Sequence, residues 1–161
     1  MDYRGKVVVI TGASSGIGRD AAVAFAKRGA IVVGVARRES LLQELADECR
    51  RHASDASYLA GDLGERAFAE RVIHDTIARH GRLDVLINNA GIPIHKQIYD
   101  VTPEDMDLQM RVNFMASVWT TLAAIPYLLR QSEGYVINVS SMAAKVAPPR
   151  ETPYTAAKAA M

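Results

Sequence analysis

Lys6 to Gly29 reads KVVVITGASSGIGRDAAVAFAKRG, and the three parts of this stretch decide what kind of fold the chain builds. Val7-Val8-Val9-Ile10 is an unbroken apolar run, short and rich in β-branched residues, the pattern of a parallel strand buried on both faces. Gly12, Gly16 and Gly18 punctuate the small-residue loop that follows. From Ile17 onward Ala21, Ala22, Phe25 and Ala26 recur at helical spacing, and Gly29 supplies a C-terminal stop. The unit is strand, glycine-rich turn, helix.

A helix N-terminus presents unpaired backbone N–H groups and the positive end of its dipole, and glycines in front of it let an anion approach the backbone closely. Such a unit can cradle the pyrophosphate of a dinucleotide. The spacing is Gly-x-x-x-Gly-x-Gly rather than the commoner Gly-x-Gly-x-x-Gly. A tight strand-to-helix turn without a ligand is the other reading that these residues alone leave open.

The rest of the chain repeats the alternation. Ala30 to Ala36 reads as a second buried strand ending at Arg37-Arg38, followed by a helix from about Glu39 to His52. Tyr58 to Gly61 is a weaker third strand closed by Asp62, and Glu65 to His80 is a helix with Phe68, Val72, Ile73 and Ile77 inward. Leu83 to Ile87 is a fourth strand running into Asn88-Asn89-Ala90-Gly91. Thr102-Pro103-Glu104-Asp105 combines an N-cap threonine, a first-position proline and first-turn acids, so a helix starts there and runs to about Gln131. Its segment Val112 to Leu129 is apolar on most faces, but Asn113, Ser117, Thr120, Thr121 and Pro126 favour a buried helix over a membrane span. Tyr135 to Val139 is a fifth strand ending at Ser140-Ser141, and Pro148, Pro149 and Pro153 mark a loop before Tyr154 opens a last helix. Strands alternating with helices imply an α/β fold, a Rossmann-like doubly wound parallel sheet with helices on both faces, here one domain over residues 1–161.

Composition narrows the function. Nineteen basic and eighteen acidic residues give a net charge of +1, so no global field draws the chain to nucleic acid or an anionic membrane. The N-terminal MDYRGK lacks a signal-peptide core and the single cysteine excludes an internal disulfide, so a reducing cytoplasm is expected. Cys49 continues the face of Leu42, Leu45 and Ala46 and reads as a small buried hydrophobe. His52, His74, His80 and His95 show no metal spacing, and no metal is expected.

In a doubly wound sheet, ligands sit outside the carboxyl ends of the strands. The polar and glycine residues fall at those ends: Thr11-Gly12, Arg37, Asp62, Asn88 to Gly91, and Ser140-Ser141. Tyr154 and Lys158, four residues apart, share one helix face. A free tyrosine titrates near ~10, so acid–base work at neutral pH requires a neighbouring cation such as Lys158 to stabilise the phenolate. An ordinary surface pair is the alternative for Tyr-x-x-x-Lys taken alone.

Taken together, Thr11-Gly12-Ala13-Ser14-Ser15-Gly16-Ile17-Gly18, Asn88-Asn89-Ala90-Gly91, Asn113, Ser141 and Tyr154-x-x-x-Lys158 resemble, in order and spacing, the short-chain dehydrogenase/reductase family, over essentially the whole chain. The resemblance implies hydride transfer between a nicotinamide cofactor and a small-molecule alcohol or carbonyl substrate. Tyr154 would be the general acid and base, and Lys158 would hold the nicotinamide ribose and depress the tyrosine pKa. Ser141 would bond the substrate oxygen, and Asn113 would anchor a water that relays protons to Lys158. Gly12, Ser14, Ser15, Gly16, Ile17 and Gly18 would form the phosphate loop. Asp62, with Leu63 beside it, would meet the adenine, while Asn89 would stiffen the central strands and Ala90 and Gly91 would leave room for the adenosine ribose.

Discrimination between the two nicotinamide dinucleotides rests on the ribose 2′ position, where an acid binds a hydroxyl and an arginine a phosphate. The second strand ends in Ala36-Arg37-Arg38 with no acid before Glu39, so Arg37 is expected to fork onto a phosphate and NADP(H) is favoured, with NAD(H) possible if the arginines are merely solvated. Ile92 to His95 and Val146 to Glu151 should border the substrate pocket, with Arg150 and Glu151 forming a solvent-facing turn.

Family members extend to roughly 200–250 residues. The expectation is therefore a fragment ending inside the catalytic helix, lacking the C-terminal strands and the substrate loop, with the fifth strand left as an apolar edge. A full-length homodimer or homotetramer would form through the long helix and the last one. A non-catalytic dinucleotide-binding protein and an inactive truncated chain are the alternative functions.

Overall fold

In the computed structural model, which describes residues 2–53, 55–131 and 133–161, the alternation becomes five parallel strands. They are β1 (Val7–Thr11), β2 (Ile31–Ala36), β3 (Ala56–Ala60), β4 (Val85–Asn88) and β5 (Tyr135–Asn138). Their spatial order is β3-β2-β1-β4-β5. β1 is central, with Val7 opposite Ile31 of β2 on one side and Val8 opposite Val85 of β4 on the other. The strand order reverses between β1 and β4, which opens a crevice above their carboxyl ends.

Successive side chains of a strand point to opposite faces, so the apolar run of β1 feeds two cores. Val8, Ile10 and Val32 pack with Ala22, Ala26, Leu42, Leu45 and Cys49, from α1 (Gly16–Ala26) and α2 (Glu39–Arg50). Val7, Val9, Val33 and Val35 pack on the other face with Phe68, Val72, Ile73, Ala116 and Ala124, from α3 (Arg66–His80) and α5 (Ala116–Leu128). Every residue of β1 is buried, as a doubly covered strand requires.

The amino end of the sheet is fastened by a carboxylate. Asp84, just before β4, is buried; its Oδ2 accepts from the Val7 N–H (2.9 Å) and from Arg82 Nε (2.8 Å), and its Oδ1 from Arg82 Nη2 (2.6 Å). Lys6 Nζ adds an ion pair at 3.3 Å. Burial pushes the Asp84 pKa up, but the hydrogen bonds from Arg82, Val7 and Lys6 outweigh it and hold the carboxyl below its ordinary value.

Three details differ from the sequence reading. The long helix is α4 (Pro103–Met110), a π-helical turn over Arg111–Met115 and then α5. The start is as expected, a reciprocal capping box between Thr102 and Asp105. Two short elements, a 3₁₀ turn (Ile98–Asp100) and α6 (Ala143–Val146), lie in stretches for which no element was expected. The last helix, α7 (Thr152–Ala160), opens two residues before Tyr154, with Pro153 in its first turn. Among the described residues no helix is long and apolar enough to cross a membrane.

Candidate active site

The glycine turn forms one wall of a cleft of about 240 Å³ at the carboxyl ends of β1, β2 and β4. Gly12 has φ +68, and a Cβ there would lie 2.8 Å from the Ala90 Cα. A Cβ on Gly18 would lie 2.5 Å from both the Gly12 carbonyl oxygen and Asn89 Nδ2. These two glycines let the loop pack directly on the β4 end. Gly16, also at positive φ (+55), has open space where a side chain would stand, and Ile17 is exposed. Ser15, the N-cap of α1, makes no capping bond with its side chain and the first turn has no acid, so the N-terminal N–H groups of α1 remain available to an anion.

Two side chains lock the β4 turn to the glycine loop. Thr11 Oγ1 accepts from the N–H groups of Asn89 and Ala90, both at 2.9 Å. Asn89 Nδ2 donates to Thr11 O (2.9 Å), and so lies behind the cleft as a brace between β1 and β4. Asn88 points into the protein instead: its Nδ2 donates to Asn138 Oδ1 (2.9 Å) and its Oδ1 accepts from Thr120 Oγ1 (2.8 Å), tying β4 to β5 and α5.

Across the cleft, Gly12, Ser14, Ser15, Arg37, Arg38, Asp62, Leu63, Ala90, Gly91 and Ile92 share the lining. Asp62 uses Oδ1 to accept from the Gly64 N–H (2.9 Å). The two arginines behave differently. Arg38, for which no role was expected, donates through Nη2 to Ser14 Oγ (2.9 Å) and Ser15 Oγ (2.7 Å), bridging the β2 end to the glycine turn. Arg37 stands on the rim with no ion pair among the described residues. Both arginines line the cleft, and among the described residues neither has a carboxylate partner.

Behind Gly91, outside the lining of the cleft itself, lie Asn113 and Lys158. A Cβ on Gly91 would lie 2.7 Å from Asn113 Oδ1 and 3.6 Å from Lys158 Nζ. Lys158 is only 4% exposed, and its ammonium donates to Val139 O (2.8 Å). Burial alone pushes its pKa down. Asn113 is fully buried in the π turn; its Oδ1 accepts from the Ile92 N–H (2.9 Å) and its Nδ2 donates to Ile92 O (3.0 Å). A π turn inserts one residue into a helix, and such insertions recur at functional sites.

Tyr154 is half-buried in α7, one turn before Lys158, and its hydroxyl makes no hydrogen bond to a side chain among the described residues. Ser141 Oγ accepts from the Ala143 N–H (3.1 Å), fixing the turn into α6, whereas Ser140 Oγ donates to Lys158 O (2.9 Å) and pins α7 to the end of β5. The two segments expected to border the substrate do meet: the Lys96 N–H donates to Arg150 O (2.9 Å) and His95 Nδ1 lies 3.3 Å from Glu151 Oε1. Glu151 is therefore half-buried against His95 and not part of a solvent-facing turn, while Arg150 is exposed at φ +71. Cys49 is fully buried, and burial pushes its thiol pKa up to about 11, which leaves it chemically inert at neutral pH.

Sequence reasoning passed over Gln109. It is fully buried, and its Oε1 accepts from Asn113 Nδ2 at 2.8 Å. The signal was available as Gln-x-x-x-Asn, a one-turn spacing on a helix.

Comparison with known proteins agrees with this geometry. A family model for short chain dehydrogenases matches residues 6–161. The 11-beta-hydroxysteroid dehydrogenase-like 4A protein of Arabidopsis thaliana is 44% identical over 159 residues, a match spanning 98% of this chain and 53% of that protein. An uncharacterized oxidoreductase of Thermotoga maritima is 38% identical over 161 residues, spanning 100% of this chain and 63% of that protein. The crystal structure of a Sinorhizobium meliloti protein described as a short-chain alcohol dehydrogenase has a TM-score of 0.93 at 30% identity, covering 99% of this chain and 63% of that one. The chain thus spans between 53% and 63% of the length of these three proteins. With the family match running from the first strand through the Tyr154 helix, the chain belongs to the short-chain dehydrogenase family.

Proposed function

We propose that the chain carries the cofactor cleft and the acid–base residues of an oxidoreductase that interconverts a small-molecule alcohol and its carbonyl compound with NADP(H). The observation that carries this reading is Lys158. A buried ammonium costs several kcal/mol in solvation unless something compensates it, and a fold has no structural reason to keep one directly behind the wall of a cleft. Here it lies one helical turn from a tyrosine and against the glycine-lined β4 turn, where a phenolate and ribose hydroxyls would repay it.

The residues fit the cofactor. The open N-terminus of α1 and the Gly16 gap suit a pyrophosphate, and Gly91 and Ala90 leave room for a ribose. Arg37 and Arg38 stand at the β2 end where a 2′-phosphate would lie, and Arg38 joins Arg37 in the fork that the sequence assigned to Arg37 alone. Asp62, with one oxygen free, and Leu63 would meet the adenine.

When bound, the nicotinamide supplies or accepts hydride at the substrate carbon. In reduction Tyr154 gives its phenolic proton to the carbonyl oxygen and becomes a phenolate; in oxidation it takes that proton back. Lys158 stabilises the phenolate electrostatically and holds the ribose hydroxyls. Ser141 donates a hydrogen bond to the substrate oxygen, and Asn113 backs the wall at Gly91 while anchoring a water on the proton path. Assembly as a homodimer or homotetramer would use α5, which exposes Leu122 and Ile125 and is followed by the exposed Leu129.

The test is NADPH oxidation by the protein expressed from its complete gene, against a panel of ketones, aldehydes and quinones. Tyr154→Phe should lower kcat by about 10²–10⁴ while NADPH affinity stays within about twofold. Arg38→Ala should erode the preference for NADPH over NADH by about tenfold, the share of one charge-assisted hydrogen bond. If NADPH binds, no carbonyl is reduced and Tyr154→Phe changes nothing, the chain is a dinucleotide-binding protein and not an enzyme.

A further inference from the structure

We infer that Gln109 is a positioning residue that fixes the Asn113 side chain, and through it the Gly91–Ile92 wall of the cleft. The inference rests on the reading of that wall as a cofactor site. The backbone of Ile92 sets the starting point, because its N–H can only donate and its C=O can only accept. With the N–H bonded to Asn113 Oδ1 and the C=O to Asn113 Nδ2, the orientation of the Asn113 amide is decided. That leaves the second Nδ2 hydrogen in a fully buried place, where it needs an acceptor, and Gln109 Oε1 at 2.8 Å is the one it has.

The Gln109 amide is in turn decided, since its nitrogen facing Asn113 Nδ2 would set donor against donor. Its Nε2 then points away, and it is one of two buried side-chain atoms without a partner among the described residues. An apolar side chain would avoid that cost, because an unsatisfied buried donor is more expensive than a hydrogen bond is favourable. Gln109 is the one residue of α4 that is fully buried, and what it contributes there is its acceptor. The amide it holds and Lys158 Nζ both border the space where a Gly91 side chain would stand. A rotation of Asn113 would release Ile92 and let Gly91 shift over Lys158.

The experiment compares the isotopically labelled 161-residue chain with Gln109→Met, which keeps volume but loses the acceptor, and with Gln109→Glu, which restores it. Hydrogen exchange of the Asn113 side-chain amide, read by NMR, should speed up about tenfold in Gln109→Met and return towards the parent rate in Gln109→Glu. The factor corresponds to one hydrogen bond worth about 1.4 kcal/mol. The Tm of Gln109→Met should stay level or rise, because the orphan donor is gone, while its NADPH dissociation constant rises by a similar factor. Unchanged Asn113 exchange in Gln109→Met overturns the inference. So does a fall in Tm with faster exchange at amides throughout α4, which would make Gln109 an ordinary packing residue. If Asn113 loosens as expected but the parent chain itself fails to bind NADPH, the positioning role stands and the cofactor reading fails.

Discussion

The ammonium of Lys158 has Val139 O as its close oxygen acceptor and almost no water, so in the cofactor-free chain its charge is poorly compensated. Its pKa is lowered by burial, which means that folding favours the neutral amine. The sign follows: below the folded pKa the chain carries the full penalty of a buried charge, and the penalty is relieved only as pH rises from that value towards the unfolded ~10.4. Lys158→Met should therefore raise stability at pH 7 by about 1 kcal/mol, with a smaller gain at pH 10, while abolishing the proposed NADPH-dependent carbonyl reduction. Thermal melts of the two proteins at both pH values, beside an NADPH oxidation assay, check it; a lower Tm for Lys158→Met at pH 7 would show that the Val139 bond outweighs the desolvation. Tyr154 and Lys158 were legible in the sequence because their spacing on a helix is local. Arg38 and Gln109 were not, because a charged residue beside a turn and a glutamine on a capped helix both read as solvent-facing. Only the approach of Ser14 and Ser15 in one case, and of Asn113 in the other, gives them partners.

Among the elements, β1 and β4 depend on a clamp at their amino ends as well as on the cleft at their carboxyl ends. Asp84 joins the start of β1 to β4, and its carboxyl is held below the ordinary value, so its contribution is present above the unfolded pKa of ~3.9 and is lost as pH falls through the folded one. Asp84→Asn should cost about 2 kcal/mol at pH 7, less than a fully buried pair because the Arg82 side chain is 44% exposed. The gap between the two proteins should begin to narrow below about pH 4 and close once pH has fallen through the folded pKa, where the parent loses what the variant never had. Urea titrations from pH 7 to pH 3 check this, and a gap undiminished at pH 3 would mean that the carboxyl acts by packing and not by charge. The strands and main helices could be read from periodicity because each spans enough residues to show a pattern: the run of β1 and the inward set Phe68, Val72 and Ile73 of α3 are where they were expected. α6 and the 3₁₀ turn at Ile98–Asp100 are each about one turn long, too short for any period to register. The π turn is invisible for a different reason: apolar residues continue through it at helical spacing, so no break in the pattern marks the extra backbone residue.

Taken as a whole, the sheet has two unequal edges. β3 is half-covered, with Ala56 and Ser57 buried and Tyr58 bonded through its hydroxyl to Gln43 of α2. β5 is open: Tyr135 is 54%, Val136 37% and Ile137 45% exposed, and α5 packs beside it with an exposed Leu122 near Asn138. A free strand edge offers unpaired N–H and C=O groups to any second strand, and apolar side chains on both of its faces make that pairing favourable in water. No charge, proline or bulge within Tyr135-Val136-Ile137-Asn138 blunts it. The 161-residue chain should therefore self-associate through β5 at tens of micromolar, at concentrations where a protein with a protected edge stays monomeric. Ile137→Lys places a charge on the open strand away from the cofactor cleft, and should shift sedimentation velocity profiles towards the monomer while leaving the far-UV circular dichroism unchanged. Leu129→Glu at the end of α5 is the control: if it disperses the oligomers and Ile137→Lys does not, association runs through the helix face, the surface by which homodimers would form, and the strand edge is not the seat of it.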